Sequence, residues 1–178
     1  DIMPSLVGSE MCIRDSAYTA LEVDAIAADT GRPVDASGFE PANLGLAEYG
    51  RSLSAPALLA ARNTANAIAR SLGRLMADYD ALLTPVLPTL PPPVTALNVR
   101  SSDWRAFADE FMRGTVFTRP ANAAGVPAMS VPLCRDASGL PIGIQFMAPY
   151  GDDTTLIELA GQLERARPWA DRLSLIHI

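Results

Sequence analysis

Residues 128–147 read AMSVPLCRDASGLPIGIQFM, and this stretch decides the fold. Two apolar runs, at 128–134 and 140–147, are joined by the polar segment RDASG, which ends in Gly139. A short polar loop that ends in glycine between two apolar runs is typical of a β-hairpin. Because neither run alternates clearly between apolar and polar residues, both faces of each strand are expected to be buried. The stretch therefore predicts a hairpin at the centre of a larger sheet.

The segments around this hairpin predict helices and one more strand. The run ALLT at 81–84, bounded by Pro85, predicts a buried strand in the same sheet. Ser54 is placed to cap a long helix that ends near residue 77, and Asp152 and Asp153 suit the start of the last helix. Further helices are predicted over 17–30, 40–51, 103–114 and 117–124. The expected fold class is α/β, a mixed sheet flanked by helices.

Composition excludes several classes of protein. The chain has 178 residues, 49% of them hydrophobic and 19% charged, which excludes extensive disorder. Its net charge of −6 does not favour binding to nucleic acid or to an anionic membrane. No apolar run is long enough for a transmembrane helix. The two cysteines cannot form a disulfide framework, which favours an intracellular, cytoplasmic protein. All 14 basic residues are arginine, and the single histidine is His177. A lysine base, or a histidine base inside the fold, is therefore excluded.

Both ends of the chain look like translated sequencing adapter. Residues 6–16, LVGSEMCIRDS, match one reading frame of a tagmentation adapter, and residues 173–178, LSLIHI, match the opposite strand of the same element. We therefore expect residues 1–16 and 173–178 to be adapter-derived and irregular or poorly packed. The genuine segment is then 17–172, an internal gene fragment. A signal peptide is excluded because Asp1 is acidic and no apolar core follows.

Motifs for common active sites are missing from the sequence. It contains no glycine-rich phosphate loop, no metal-ligand spacing and no GxSxG motif, so no metal or cofactor is expected. Cys134 is interpreted as a small buried hydrophobic residue. Gln145 stands in an otherwise apolar strand, where a buried amide needs hydrogen-bond partners. A structural role for Gln145 is favoured over a functional one.

Four blocks of sequence resemble the amidase signature family in order and spacing. Residues 78–88 (DYDALLTPVLP) are similar to its YDALLTPTLP strand, and 117–132 (FTRPANAAGVPAMSVP) to its FTxPxNxxGxPAxSVP stretch. Residues 139–146 (GLPIGIQF) are similar to its GLPIGLQ strand, and 152–164 to its closing helix. Within the family, GRPVD at 31–35 and ARPW at 166–169 most resemble bacterial amidases of the 6-aminohexanoate cyclic dimer hydrolase type.

The resemblance implies hydrolysis of carbon–nitrogen bonds in a small-molecule amide. Members of the family use a serine nucleophile, a cis-peptide serine and a lysine base, all of which precede the part of the family found here. The resemblance therefore implies no catalytic residue in this chain, and the chain alone is expected to be inactive. Phe117, Thr118 and Asn122 belong to the block that turns toward the active-site cleft, and they are the candidates for pocket residues. Phe117 would line an acyl pocket, and Asn122 would bond its own loop; a purely structural helix start is the favoured alternative.

Two other interpretations remain open beside the enzyme fragment. In one, the chain is a non-catalytic translated gene fragment. In the other, it is an unrelated α/β binding module. The resemblance allows a homodimer of the parent protein.

Overall fold

The computed structural model describes the backbone of residues 4–170 and the side chains of residues 12–170. The helices are α1 (Pro4–Thr30), α2 (Pro41–Ser52), α3 (Ala55–Leu75), α4 (Trp104–Gly114), α5 (Arg119–Ala124) and α6 (Asp153–Ala166), with a 3₁₀ turn at Met76–Asp78. The strands are β1 (Leu82–Pro85), β2 (Ala128–Arg135) and β3 (Pro141–Met147). None of these helices is long and apolar enough to cross a membrane.

The three strands form one sheet in the order β1-β3-β2. The predicted hairpin is confirmed, since β2 and β3 pair antiparallel, and β1 pairs antiparallel with the other edge of β3. Asp136 closes the hairpin loop, where its Oδ1 accepts hydrogen bonds from the backbone N–H groups of Ser138 at 3.0 Å and Leu140 at 2.7 Å. The α/β class is confirmed. The predicted sheet was mixed, but the described strands pair only antiparallel, because the central strand runs opposite to both neighbours.

Helices cover both faces of the sheet. Successive residues of a strand point to opposite faces, and Met147 packs with Leu72 of α3 and Ala121 of α5, while Phe146 packs with Leu156 of α6. The sheet therefore lies between α3 and α5 on one side and α6 on the other. Outside this core, α1 and α2 pack against each other through a separate apolar cluster made of Ala20, Val23, Ala47 and the partly buried Phe39.

Local signals place the starts of three helices where the sequence predicts them. The side chains of Ser54, Asp103 and Asp152 each accept a hydrogen bond from the backbone N–H three residues later, at 3.3, 3.1 and 3.3 Å. These bonds satisfy donors that a helix leaves unpaired in its first turn. The caps confirm the predicted starts of α3, α4 and α6.

The N-terminal segment is the main correction to the sequence analysis. Residues 4–16 are helical as part of α1, so the expectation that they are irregular or poorly packed is wrong in its first part. Ser16 is only 1% exposed, and Gly50 of α2 lies so close that a Cβ there would sit 2.0 Å from the Ser16 carbonyl oxygen. The missing side chain of Gly50 thus lets the two helix backbones approach. Ile13 stays partly exposed. The adapter origin of residues 1–16 and 173–178 remains a prediction, and residues 1–3 and 173–178 lie outside the described residues.

Burial differs from expectation at the edges of the core. Cys134 is only partly buried, because β2 is an edge strand and its pairing with β3 shifts between Val131 and Cys134. The same edge position leaves Ser130 exposed, so β2 is not covered on both faces. On α3, Leu59 is 58% exposed although its spacing places it with the apolar residues. Described neighbours cover only part of that helix face.

Candidate functional site

Two of the three candidate residues lie at the junction between α4 and α5, and the third lies within α5. Phe117 and Thr118 are partly buried, and Asn122 is exposed on α5. The hydroxyl of Thr118 donates to the carbonyl of Thr115 at 3.2 Å, and the backbone N–H of Arg119 bonds the same carbonyl at 3.0 Å. The Asn122 side chain makes no hydrogen bond within the described part of the chain, so the expected bond to its own loop is absent there because the side chain faces outward.

Gln145 connects this junction to the sheet. It is 4% exposed, and its Nε2 donates to Thr84 Oγ1 at 3.0 Å and to the carbonyl oxygen of Phe117 at 2.8 Å. Thr84 is its cross-strand partner in β1. Leaving such a buried donor or acceptor unpaired would cost about 1–3 kcal/mol. The amide therefore ties β3, β1 and the start of α5 together, in agreement with the predicted need for partners.

Arg119 is a buried charge that sequence reasoning missed. The residue is 7% exposed, and its Nη2 and Nε donate to the carbonyls of Met112 at 2.7 Å and Thr115 at 3.4 Å. These carbonyls lie at the end of α4, where the helix dipole favours a cation. Burial lowers the pKa of the Arg119 guanidinium, and its Nη1 has no hydrogen-bond partner among the described residues. The available signal was an arginine inside an otherwise uncharged stretch, 114–134.

An open cleft of about 770 Å³ separates the end of α4 from the proline-rich segment 85–102. This segment supplies one wall of the cleft. The lining is mostly apolar and is formed by Leu87, Pro88, Thr89, Pro92, Leu97, Asp109, Glu110, Phe111, Met112, Arg113, Gly114, Thr115, Val116 and Arg119. Phe117, Thr118 and Asn122 do not line it. Trp104 does not line the cleft either, and its indole stacks on Tyr49 with ring centroids 5.3 Å apart.

The described residues bring together no recognisable set of catalytic groups. Within residues 12–170, no cluster of three or more His, Cys, Asp or Glu side chains is placed to hold a metal ion. The sequence has no lysine, and arginine does not act as a base because it stays protonated. What the arrangement supplies is a junction tethered to the sheet, a buried cation and a mostly apolar cleft.

Comparison with known proteins identifies the surrounding fold. A family model described as "Amidase" matches residues 14–157. A Mycobacterium tuberculosis protein named "Putative amidase AmiC" is 38% identical over 141 residues, which cover 79% of this chain and 29% of that protein. The 6-aminohexanoate-cyclic-dimer hydrolase of Paenarthrobacter ureafaciens is 35% identical over 101 residues, which cover 54% of this chain and 20% of the hydrolase.

Solved structures agree over nearly the whole chain. A structure of 6-aminohexanoate cyclic dimer hydrolase superimposes with a TM-score of 0.79 and 26% sequence identity, covering 93% of this chain and 37% of that one. The chain thus spans less than two fifths of the proteins it matches here.

Proposed function

Because this chain belongs to the amidase family, we propose that it forms part of an enzyme that hydrolyses carbon–nitrogen bonds in linear or cyclic amides. The observation that supports this most directly is the match to the family over residues 14–157. The 141 matched residues cover 29% of the mycobacterial relative, so the activity is proposed for a longer parent protein and not for these residues alone.

In the proposed mechanism, this chain supplies structure and pocket wall while the remainder of the parent supplies the chemistry. A neutral lysine would accept a proton through a cis-peptide serine and so activate a serine nucleophile. Backbone N–H groups would stabilise the oxyanion of the tetrahedral intermediate. Since the chain contains no lysine, this relay cannot be completed within it.

The proposed contribution of this chain is the junction before α5. Phe117 would line the acyl pocket, with Thr118 and Asn122 beside it. Support comes from the similarity of residues 117–132 to the family block that turns toward the active-site cleft. The proposed substrate is a small-molecule amide, and acyl transfer from it to serine requires no cofactor.

Location is proposed on composition. We propose that the parent is cytoplasmic, because the two cysteines of this chain cannot form a disulfide framework.

The decisive experiment recovers the coding sequence upstream of residue 17 and assays the complete parent. We expect a continuous frame that encodes a lysine followed by a glycine- and serine-rich run with two serines. The parent should release amine from simple aliphatic or aromatic amides, and the 178-residue chain should not do so above background. A parent that hydrolyses no amide would overturn the proposed function.

The same assay tests the proposal that the remainder of the parent supplies the chemistry. Turnover by the 178-residue chain that persists through rigorous purification would contradict its proposed passive role. It would then require a nucleophile within the chain itself. A matched preparation of the chain with Ser130→Ala, the exposed serine of β2, would show whether that side chain is responsible.

A further inference from the structure

Gln145 joins three segments that are far apart in the sequence. Its two hydrogen-bond partners, Thr84 and Phe117, lie 61 and 28 residues away. Both bonds come from the same Nε2, and the residue is buried. A shift of this amide would therefore be felt at β1 and at the junction before α5 together.

The carbonyl of Phe117 depends on this amide because of its place before the helix. Thr118 is the N-cap of α5, and the carbonyl of an N-cap accepts the first bond of the helix. Consistent with this, the backbone N–H of Asn122 donates to the Thr118 carbonyl at 3.4 Å. The carbonyl of Phe117 comes one residue earlier and lies outside that ladder. Gln145 thus supplies its partner from the sheet.

We propose that Gln145 is a positioning residue for the amide pocket: its bond to the Phe117 carbonyl sets the direction in which the Phe117 side chain faces the acyl group. This inference rests on the proposed function, in which Phe117 lines the acyl pocket. A backbone held at one end of a short junction leaves little freedom for the adjoining side chain. A displacement of about 1 Å at a positioning group can reduce a rate about 100-fold.

A merely structural Gln145 would make a different prediction. In that case its loss would lower stability, as the loss of any buried hydrogen bond does, and would leave substrate preference unchanged. The informative readout is therefore a ratio: kcat/KM for an amide with a bulky acyl group divided by kcat/KM for the corresponding acetamide. Global destabilisation affects both terms equally and cancels.

The test uses the complete parent enzyme and three variants. Gln145→Met keeps side-chain length but removes both bonds, whereas Thr84→Val removes only the Thr84 partner and retains the bond to Phe117. Phe117→Ala removes the side chain that is being positioned. We expect Gln145→Met to change the ratio about ten-fold and Thr84→Val to leave it within two-fold of the parent value. Gln145→Leu, which also removes both bonds and introduces no charge at this buried site, replaces Gln145→Met if the latter does not fold by circular dichroism.

A double variant tests whether the effect passes through Phe117. If it does, Gln145→Met should add little to the change already caused by Phe117→Ala, because residues that act on one another are not additive. An unchanged ratio in Gln145→Met, or equal changes in Gln145→Met and Thr84→Val, would overturn the inference while the proposed hydrolysis stands. Full additivity in the double variant would overturn it as well. Loss of amide hydrolysis in the parent itself would instead be the failure of the proposed function.

Discussion

The contact between α2 and α4 leads to a prediction with a matched control. Gly45 lies within α2, and a Cβ at this position would sit 2.2 Å from Trp104 Cδ1 and 2.5 Å from its Cγ. Carbon atoms pack at about 3.5–4.0 Å, so Gly45→Ala forces the indole away. That indole stacks on Tyr49, and the stack would be disturbed with it.

The expected magnitude combines two opposing effects. Overpacking of this kind costs about 1–3 kcal/mol, and a disrupted aromatic pair costs about 0.5–1.5 kcal/mol more. Alanine is favoured over glycine inside a helix by about 1 kcal/mol, which offsets part of the loss. Gly45→Ala should therefore lower the free energy of unfolding by about 1–3 kcal/mol.

The control is Gly73 in α3, where a Cβ would meet no atom within 4 Å. Gly73→Ala should raise the free energy of unfolding by about 0.5–1 kcal/mol, the opposite sign. Both are measured by urea unfolding of the complete parent protein, followed by circular dichroism. A Gly45→Ala protein as stable as Gly73→Ala would refute the packing of Trp104 against α2.

Three further predictions concern the sheet, the hairpin and the buried cation. Expressed alone, residues 17–172 should associate or stay molten because β1 and β2 have open edges in the described sheet; a monodisperse monomer with a sharp thermal transition in sedimentation and melting experiments would contradict this. Hydrogen bonds from Ser138 lower the pKa of Asp136, so its support of the hairpin should be present above the ordinary aspartate pKa and be lost as pH falls through the lowered value. NMR titration of the hairpin amides checks this, and a midpoint at or above the ordinary pKa of about 3.9 would exclude it. Arg119→Met should cost about 1–2 kcal/mol in urea unfolding through the lost bonds to α4, whereas Arg113→Met, whose described pairing is an exposed one with Glu110, should cost less than about 0.5 kcal/mol; equal losses would argue against the capping role.

Short-range signals account for the features that the sequence predicts correctly. The caps at Ser54, Asp103 and Asp152 each depend on a backbone donor three residues away. The hairpin at 128–147 likewise depends on a loop of a few residues between two apolar runs. Such interactions form within one turn of chain, so residue type and spacing are sufficient to predict them.

Long-range contacts account for what sequence reasoning missed or misplaced. The junction candidates Phe117, Thr118 and Asn122 followed from a family resemblance, but their surroundings did not. Helical spacing alone placed Leu59 on the apolar side of α3, yet no described neighbour covers it fully.

The sequence by itself determined where most helices and strands begin, where the hairpin lies, and which family the chain resembles. Each of these depends on residues that are close together in the sequence. Only the tertiary structure decided that residues 4–16 form the N-terminal part of α1. This helix packs against α2 at Gly50, where the absence of a side chain lets the Ser16 backbone come close. It also decided that Arg119 is buried at the end of α4 and that Gln145 bonds Phe117. Burial and hydrogen-bond partners depend on which distant segments of the chain meet. A linear pattern of residue types does not say which segments those are.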